Sequence, residues 1–334
     1  MDYIRICSSV LNDLPSRTNN VIERRFGLKE GKRETLESIG ENYGITRERV
    51  RQIEEEGFSK IQLKGIEKVF KYFSDKIESL GGLKKEDVLL SSLGGEKQQN
   101  QVLFLLTLAN GLEKHSEDND FHCFWTKDKK AIDSAKKVIS LTLNKLKKDK
   151  TTYTLDELFN IQKSSLSKIR KMNKDIFQSY IEVSKNIQEN GDNQIGLNEW
   201  VEINPKGVKD KAYLILKKQG KPLHFRKVAD LIGSSSCFEK NRVHTATVHN
   251  ELIKDPRFVL VGRGLYALVE WGYEPGIVKD VIIKVLKGKK PLSKDEIAEK
   301  VLEQRIVKRN TIFLNLQDKN CFFKNSQGKY INKK

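Results

Sequence analysis

Thr46-Arg47-Glu48-Arg49-Val50-Arg51-Gln52-Ile53-Glu54, preceded by Thr35-Leu36-Glu37-Ser38-Ile39-Gly40-Glu41-Asn42-Tyr43-Gly44-Ile45, reads as a helix, a tight turn and a second helix. Leu36 and Ile39 give the first helix an apolar stripe, and Gly44 is placed to end it in the left-handed conformation. Thr46 is an N-cap residue type, able to satisfy an amide left free at the start of the next helix. Val50 and Ile53 then face Ile39 and Ile45, which leaves Arg47, Glu48, Arg51 and Gln52, at i, i+1, i+4 and i+5, on the opposite face. Such a face suits base reading in the major groove: arginine pairs with guanine, glutamine with adenine, and glutamate accepts from cytosine. Thr35, Thr46 and Arg49 stand where phosphate contacts are expected. The plain alternative is a solvated helix face.

Residues 11–62 resemble region 4 of the primary sigma-70 family factors of bacterial RNA polymerase. The resemblance rests on Leu14-Pro15, Val21-Ile22-Glu23-Arg24-Arg25-Phe26-Gly27-Leu28, Thr35 to Gly40, and Thr46 to Glu54, in that order and spacing. It implies a helix that reads a promoter −35 element through Arg47, Glu48, Arg51 and Gln52, and preceding helices that dock on the polymerase flap. Two departures stand out. Glu55 and Glu56 extend an acidic run where the family is mixed and basic, which weakens phosphate contact there. No segment resembles sigma region 2, so the chain is not expected to open promoters alone.

Across the 334 residues the chain is 37% hydrophobic and 32% charged, an ordinary globular composition with only 6 prolines. The N-terminus lacks a signal-peptide layout, and the longest apolar stretch, around Val102 to Ala109, is too short to span a bilayer. A cytoplasmic, nucleoid-associated protein without membrane contact is the expectation. Cys7, Cys123, Cys237 and Cys321 stand far apart, as reduced thiols would.

The net charge of +17 is unevenly placed: +1 in residues 1–64, −2 in 65–127, +3 in 128–204, +7 in 205–270 and +8 in 271–334. A nucleic-acid footprint is therefore expected in the last third, and its bias to lysine suits phosphate attraction more than base reading. Excess lysine that merely solubilises the surface is the plain alternative.

Cut at a period of roughly 65 residues, the rest of the chain looks repetitive. In 205–270, helices are expected over Val208 to Gln219, Arg226 to Ile232 and Arg242 to Ile253. Strands Phe258 to Val261 and Leu265 to Leu268 follow, around Gly262-Arg263-Gly264: the layout of a winged helix. Residues 271–334 repeat it, with helices from Gly276, Lys294 and Arg309 and a wing of Cys321 to Lys324 and Lys329 to Ile331. Lys221-Pro222-Leu223 matches Lys290-Pro291-Leu292, and Gly264-Leu265-Tyr266 matches Gly328-Lys329-Tyr330. Two earlier stretches fit either weaker copies or a helical spacer. In 65–127 the expected helices are Ile66 to Leu80, Lys84 to Leu90 and Gln99 to Leu108, with a strand Phe121 to Trp125. In 128–204 they are Ala131 to Lys147, Thr154 to Ile161 and Lys174 to Ile187, with a strand Gly196 to Val201.

Residues 205–270 also resemble the HARE-HTH winged helix of the RNA polymerase delta subunit type, through Gly220 to Phe225, His244 to Leu252 and Phe258 to Leu268. That resemblance implies a role in transcription, on DNA or on protein. With DNA as ligand, Arg242, His244, Thr245 and Arg263 are the expected contacts, joined by Lys289 and Lys290 in the last unit.

Enzyme readings find no support. His244 and His249 are five apart, which does not set two imidazoles on one helix face. His122 and Cys123, adjacent in an expected strand, point to opposite faces. No phosphate-cradling glycine loop occurs, and Gly81-Gly82 and Gly94-Gly95 read as helix ends and linkers. No catalytic residue, metal or cofactor is expected. The chain reads as mainly α: a helix-turn-helix followed by tandem winged helices. Its expected partners are double-stranded DNA and, in the rival reading of a polymerase accessory protein, the flap of core RNA polymerase.

Overall fold

The computed structural model describes residues 1–63, 65–169, 171–235, 243–287 and 291–333. It divides into two compact units, one of 1–189 with 193–198 and one of 190–192 with 199–334. The first opens with α1 (Tyr3–Leu11), α2 (Ser16–Phe26), α3 (Leu36–Tyr43) and α4 (Arg47–Lys60). Val21, Ile39, Val50 and Ile53 form a small core between α2, α3 and α4, with Leu36, Tyr43 and Ile45 packed against it. Burying side chains of this size is worth about 1.5–3 kcal/mol each, which offsets the ordering of two short helices.

After these come α5 (Glu67–Ser79), β1 (Leu83–Lys85), α6 (Glu86–Gly94), α7 (Gln99–Leu108), β2 (Glu113–His115) and β3 (Phe124–Thr126). Helix, strand, two helices and a hairpin, with sheet order β1-β3-β2, make a winged-helix-like layout. It recurs as α8 (Lys129–Asp149), α9 (Leu155–Leu166), α10 (Lys174–Ile181), β4 (Ile187–Glu189) and β5 (Ile195–Leu197). There Tyr153 bridges Ile195 in place of a full first strand.

The second unit holds α11 (Gly207–Gln219), β6 (Leu223–His224), α12 (Phe225–Ser234), α13 (Thr245–Lys254), β7 (Phe258–Gly262) and β8 (Leu265–Leu268), in sheet order β6-β8-β7. Then follow α14 (Val278–Leu286), α15 (Lys294–Leu302), α16 (Arg309–Asn315), β9 (Phe322–Lys324) and β10 (Tyr330–Asn332), with Leu292 bridging Tyr330. The duplicated sequence pairs coincide in space: Leu223 pairs with Tyr266 as Leu292 does with Tyr330. The residues beginning each sheet, Leu83, Tyr153, Leu223 and Leu292, recur at an interval of about 70 residues.

One core runs across residue 64. Tyr3, Cys7, Leu11, Ile22 and Phe26 are buried together with Phe73, Phe104 and Trp125, and the Phe26 and Phe104 rings meet edge-on at 5.3 Å. Gln101 Nε2 donates to the Leu28 carbonyl at 2.9 Å, and Asn100 Nδ2 to those of Gly27 and Gly31 at 3.1 and 2.8 Å.

Several local expectations need correction. The helix expected from Lys84 begins at Glu86, because Leu83–Lys85 pairs with β3 as a strand. The helix expected to reach Ile187 ends at Ile181, and Ile187 opens β4. Of the strand expected over Phe121 to Trp125, only Phe124 and Trp125 lie in β3. His122 and Cys123 lie in the segment before β3, where His122 N–H donates to the Val183 carbonyl at 2.8 Å. The strand expected over Gly196 to Val201 is Ile195–Leu197.

Candidate nucleic-acid interface

The helix-turn-helix is tied together by polar contacts as well as by its core. Arg24 grips Glu34 in a two-pronged pair, Nε–Oε1 at 2.7 Å and Nη2–Oε2 at 2.6 Å. Arg25 Nη1 donates to the Glu34 carbonyl at 3.0 Å, and the Ser38 hydroxyl to its carboxylate at 3.2 Å. The Arg24 guanidinium holds the Glu34 carboxyl below the usual carboxylate range. Thr35 caps α3 by accepting from Ser38 N–H at 3.1 Å, and Thr46 caps α4 by accepting from Arg49 N–H at 3.2 Å. Gly44 ends α3 at φ 63°, as a left-handed C-cap. Gly40 lets the turn fold back on α3, since a Cβ there would lie 2.7 Å from the Ile45 carbonyl oxygen. These contacts present α4 with one edge outward.

On that edge Arg47, Glu48 and Gln52 are exposed and Arg51 is half-exposed, while Thr35, Thr46 and Arg49 are exposed beside them. The side chains are not idle. Arg51 Nε and Nη2 donate to Glu48 at 2.9 and 2.6 Å, and Arg51 Nη1 donates to Glu55. Arg49 Nη1 donates to Gln52 Oε1 at 3.1 Å. The Arg51 hydrogen bonds hold the Glu48 carboxyl below its usual range, and Arg51 is raised in turn. Glu54, by contrast, is raised chiefly by burial, despite Arg25 at 3.8 Å. Among the described residues, the Arg47 guanidinium has no ion-pair partner. Arg25, Thr35, Leu36, Glu37 and Arg47 line a shallow open concavity between the starts of α3 and α4.

The capped helices, the glycine-ended turn and the outward arginine face all lie within one short segment. Residues 10–63 match the family Sigma-70, region 4. This N-terminal part of the chain is a helix-turn-helix similar to that of the sigma-70 family, a family element that binds DNA.

Each of the four winged-helix-like layouts contributes a third helix, α7, α10, α13 and α16. Here the four differ sharply in what they leave exposed. On α7, Gln101 to Leu106 and Leu108 are all buried, and on α10 so are Ile176, Phe177, Ser179, Tyr180 and Ile181. The Tyr180 hydroxyl donates to the Gly81 carbonyl at 2.7 Å and that of Ser179 to Leu83 at 2.8 Å, so α10 is packed onto the neighbouring winged unit. Both helices bury more than half of their residues. On α13 only Val248 and Leu252 are buried, and on α16 only Ile312.

Around α13, His244 stands exposed at the N-cap position without a side-chain cap bond, and Thr245 is the exposed first helical residue. Arg263 is exposed in the turn between β7 and β8. Arg242, Lys289 and Lys290 lie outside the described residues.

Two features escaped the sequence reading. The pairing of Arg51 with Glu48 and Glu55 was legible as i,i+3 and i,i+4 spacing. The stack in which Phe225 meets His224 at 4.5 Å and His249 at 4.4 Å joins distant segments and left no local signal. No group of His, Cys, Asp or Glu among the described residues is arranged to hold a metal, and no described helix is long and apolar enough to cross a membrane.

Proposed function

We propose that this chain is a DNA-binding transcription factor that reads a −35-like promoter element with α4 and holds adjacent duplex through the winged helices of residues 205–270 and 271–334. The carrying observation is the capped helix-turn-helix at 10–63, whose outward edge bears Arg47, Glu48, Arg51 and Gln52. The charges of +7 and +8 on the last two units, and the open faces of α13 and α16, support backbone contact there. The HARE-HTH resemblance of 205–270 points to the same machinery. With no region 2-like segment, the chain reads a promoter without opening it. Tethered modules of modest affinity gain from effective concentration.

The neutralised state of Arg51 and the near-zero net charge of residues 1–127 favour a second reading, in which the helix-turn-helix serves the polymerase flap instead. Fluorescence anisotropy separates the two, using a duplex with a −35-like hexamer and a scrambled one across a salt series. A preference that survives rising salt is expected. Equal affinities that collapse together with salt would leave backbone attraction alone and favour polymerase docking.

A further inference from the structure

The edge strand of the third winged unit is covered by the fourth. Ile306, in the turn between α15 and α16, donates its N–H to the Val261 carbonyl at 2.7 Å. Gly262 beside it approaches so closely that a Cβ would lie 2.6 Å from the Ile306 carbonyl oxygen. Arg305 is buried to 2% exposure, and it donates to the carbonyls of Gln304 at 2.7 Å, Glu274 at 2.6 Å and Gly276 at 2.8 Å. Burial pushes its guanidinium below the ordinary value, and no carboxylate among the described residues pairs with it directly. Gln304 Oε1 accepts from Glu274 N–H at 2.9 Å. On the other side of the hairpin, Val259, Val261 and Ala267 pack with Trp271 and Tyr273. The link between the two winged helices is therefore held at backbone and side chain alike.

This junction joins two backbone segments that each lead into exposed basic residues. Arg263 follows Gly262, which touches Ile306, and Lys308 and Arg309 follow Ile306 at the start of α16. Arg263 also precedes Gly264, whose backbone lies against His224 and Phe225, and Phe225 stacks on His249 of α13. Arg263, Lys308 and Arg309 are all exposed.

We propose that Arg263, Lys308 and Arg309 form one continuous strip that binds the phosphate backbone of duplex DNA from the wing tip to α16, with Arg305 as the positioning residue that keeps it continuous. The proposal rests on the reading of the chain as DNA-binding. Charge selects the occupant: among the described residues Arg263 and Lys308 pair with no carboxylate, and Arg309 meets Asp295 and Glu299 only at 3.6 and 4.0 Å.

The test is anisotropy of the full chain on scrambled duplexes of about 10 and about 25 base pairs across a salt series, one and more than two turns of helix. On the long duplex, Arg263→Ala lowers the slope of log K against log salt by about 1, and the double variant Lys308→Ala with Arg309→Ala by about 2. Arg305→Lys keeps the charge but not the three carbonyl contacts. It weakens the long duplex several-fold and leaves the short one unchanged, with thermal melting as the check on folding. Unchanged slopes in a chain that still binds duplex would overturn the strip and leave the DNA reading standing. Equal weakening of both lengths by Arg305→Lys would reduce Arg305 to a structural part. No salt-dependent binding by the wild-type chain removes the DNA reading and the strip together. Binding of polyglutamate in its place, lost in Arg263→Ala, would give the strip to an acidic protein.

Discussion

Arg51 is held by its own helix, between Glu48 one turn before it and Glu55 one turn after. Exposed pairs of this kind add little to stability, so their consequence lies in binding: a guanine edge or a phosphate must displace a carboxylate. Arg51→Ala should cost about 1–3 kcal/mol of binding and relax sequence preference, read by competition with base-substituted duplexes. Glu55→Gln should instead tighten every duplex and steepen the salt dependence, because it removes negative charge beside Arg51 on α4. Cys7 carries a prediction of another kind. Burial pushes its thiol up to about 12, so the reactive thiolate is scarce at neutral pH and the sulfur is shielded. Iodoacetamide at pH 8 should leave Cys7 unlabelled in the folded chain and modify it on unfolding, as peptide mass mapping would record.

At the scale of elements, the α3–α4 turn depends on two glycines for different reasons. Gly44 needs its left-handed φ but has open space around it, so Gly44→Ala should cost about 1–2 kcal/mol and leave the turn in place. Gly40 is helical but crowded by the Ile45 carbonyl, so Gly40→Ala should force α4 away from α3. The expected result is lost duplex preference with far-UV circular dichroism nearly unchanged; retained preference would mean that the turn adapts. The third helices of the four winged units show how one layout serves two ends. Most residues of α7 and α10 are buried against neighbouring elements, whereas α13 and α16 bury only two residues and one.

In the whole molecule, the Lys84–Glu182 pair joins the first two winged units, with side chains 9% and 21% exposed. Glu182→Ala leaves the lysine charge shielded and unpaired, a loss expected at about 3–5 kcal/mol and measurable by urea denaturation of the full chain. The same variant should not alter which DNA sequence is preferred, since neither residue lies on the α4 edge. Arg51→Ala and neutralisation of Lys289 and Lys290 should likewise part company. The first should erase preference for the hexamer, and the second should weaken all duplexes alike. A uniform loss from both would end the proposed division of labour.

Capping, turn and outward face of the helix-turn-helix were all local matters, set by Thr35, Gly44, Thr46 and a helical period of apolar residues, and they were readable in order along the chain. The repeat of a winged layout was readable too where lysine-proline-leucine and glycine-x-tyrosine recur. Its first two copies carry neither tripeptide, and opening strands of three residues or a single bridge leave no periodic pattern in their place. In the winged units, no stretch of sequence carried which faces remain free. The burial of α7 and α10, the clasp of Arg305 on the carbonyls of Glu274 and Gly276, and the stack around Phe225 all join segments far apart in the chain. Local chemistry determines which helices and turns form. Only packing between distant elements decides which of their surfaces are left to meet a partner, because burial is a property of the neighbours and not of the residue.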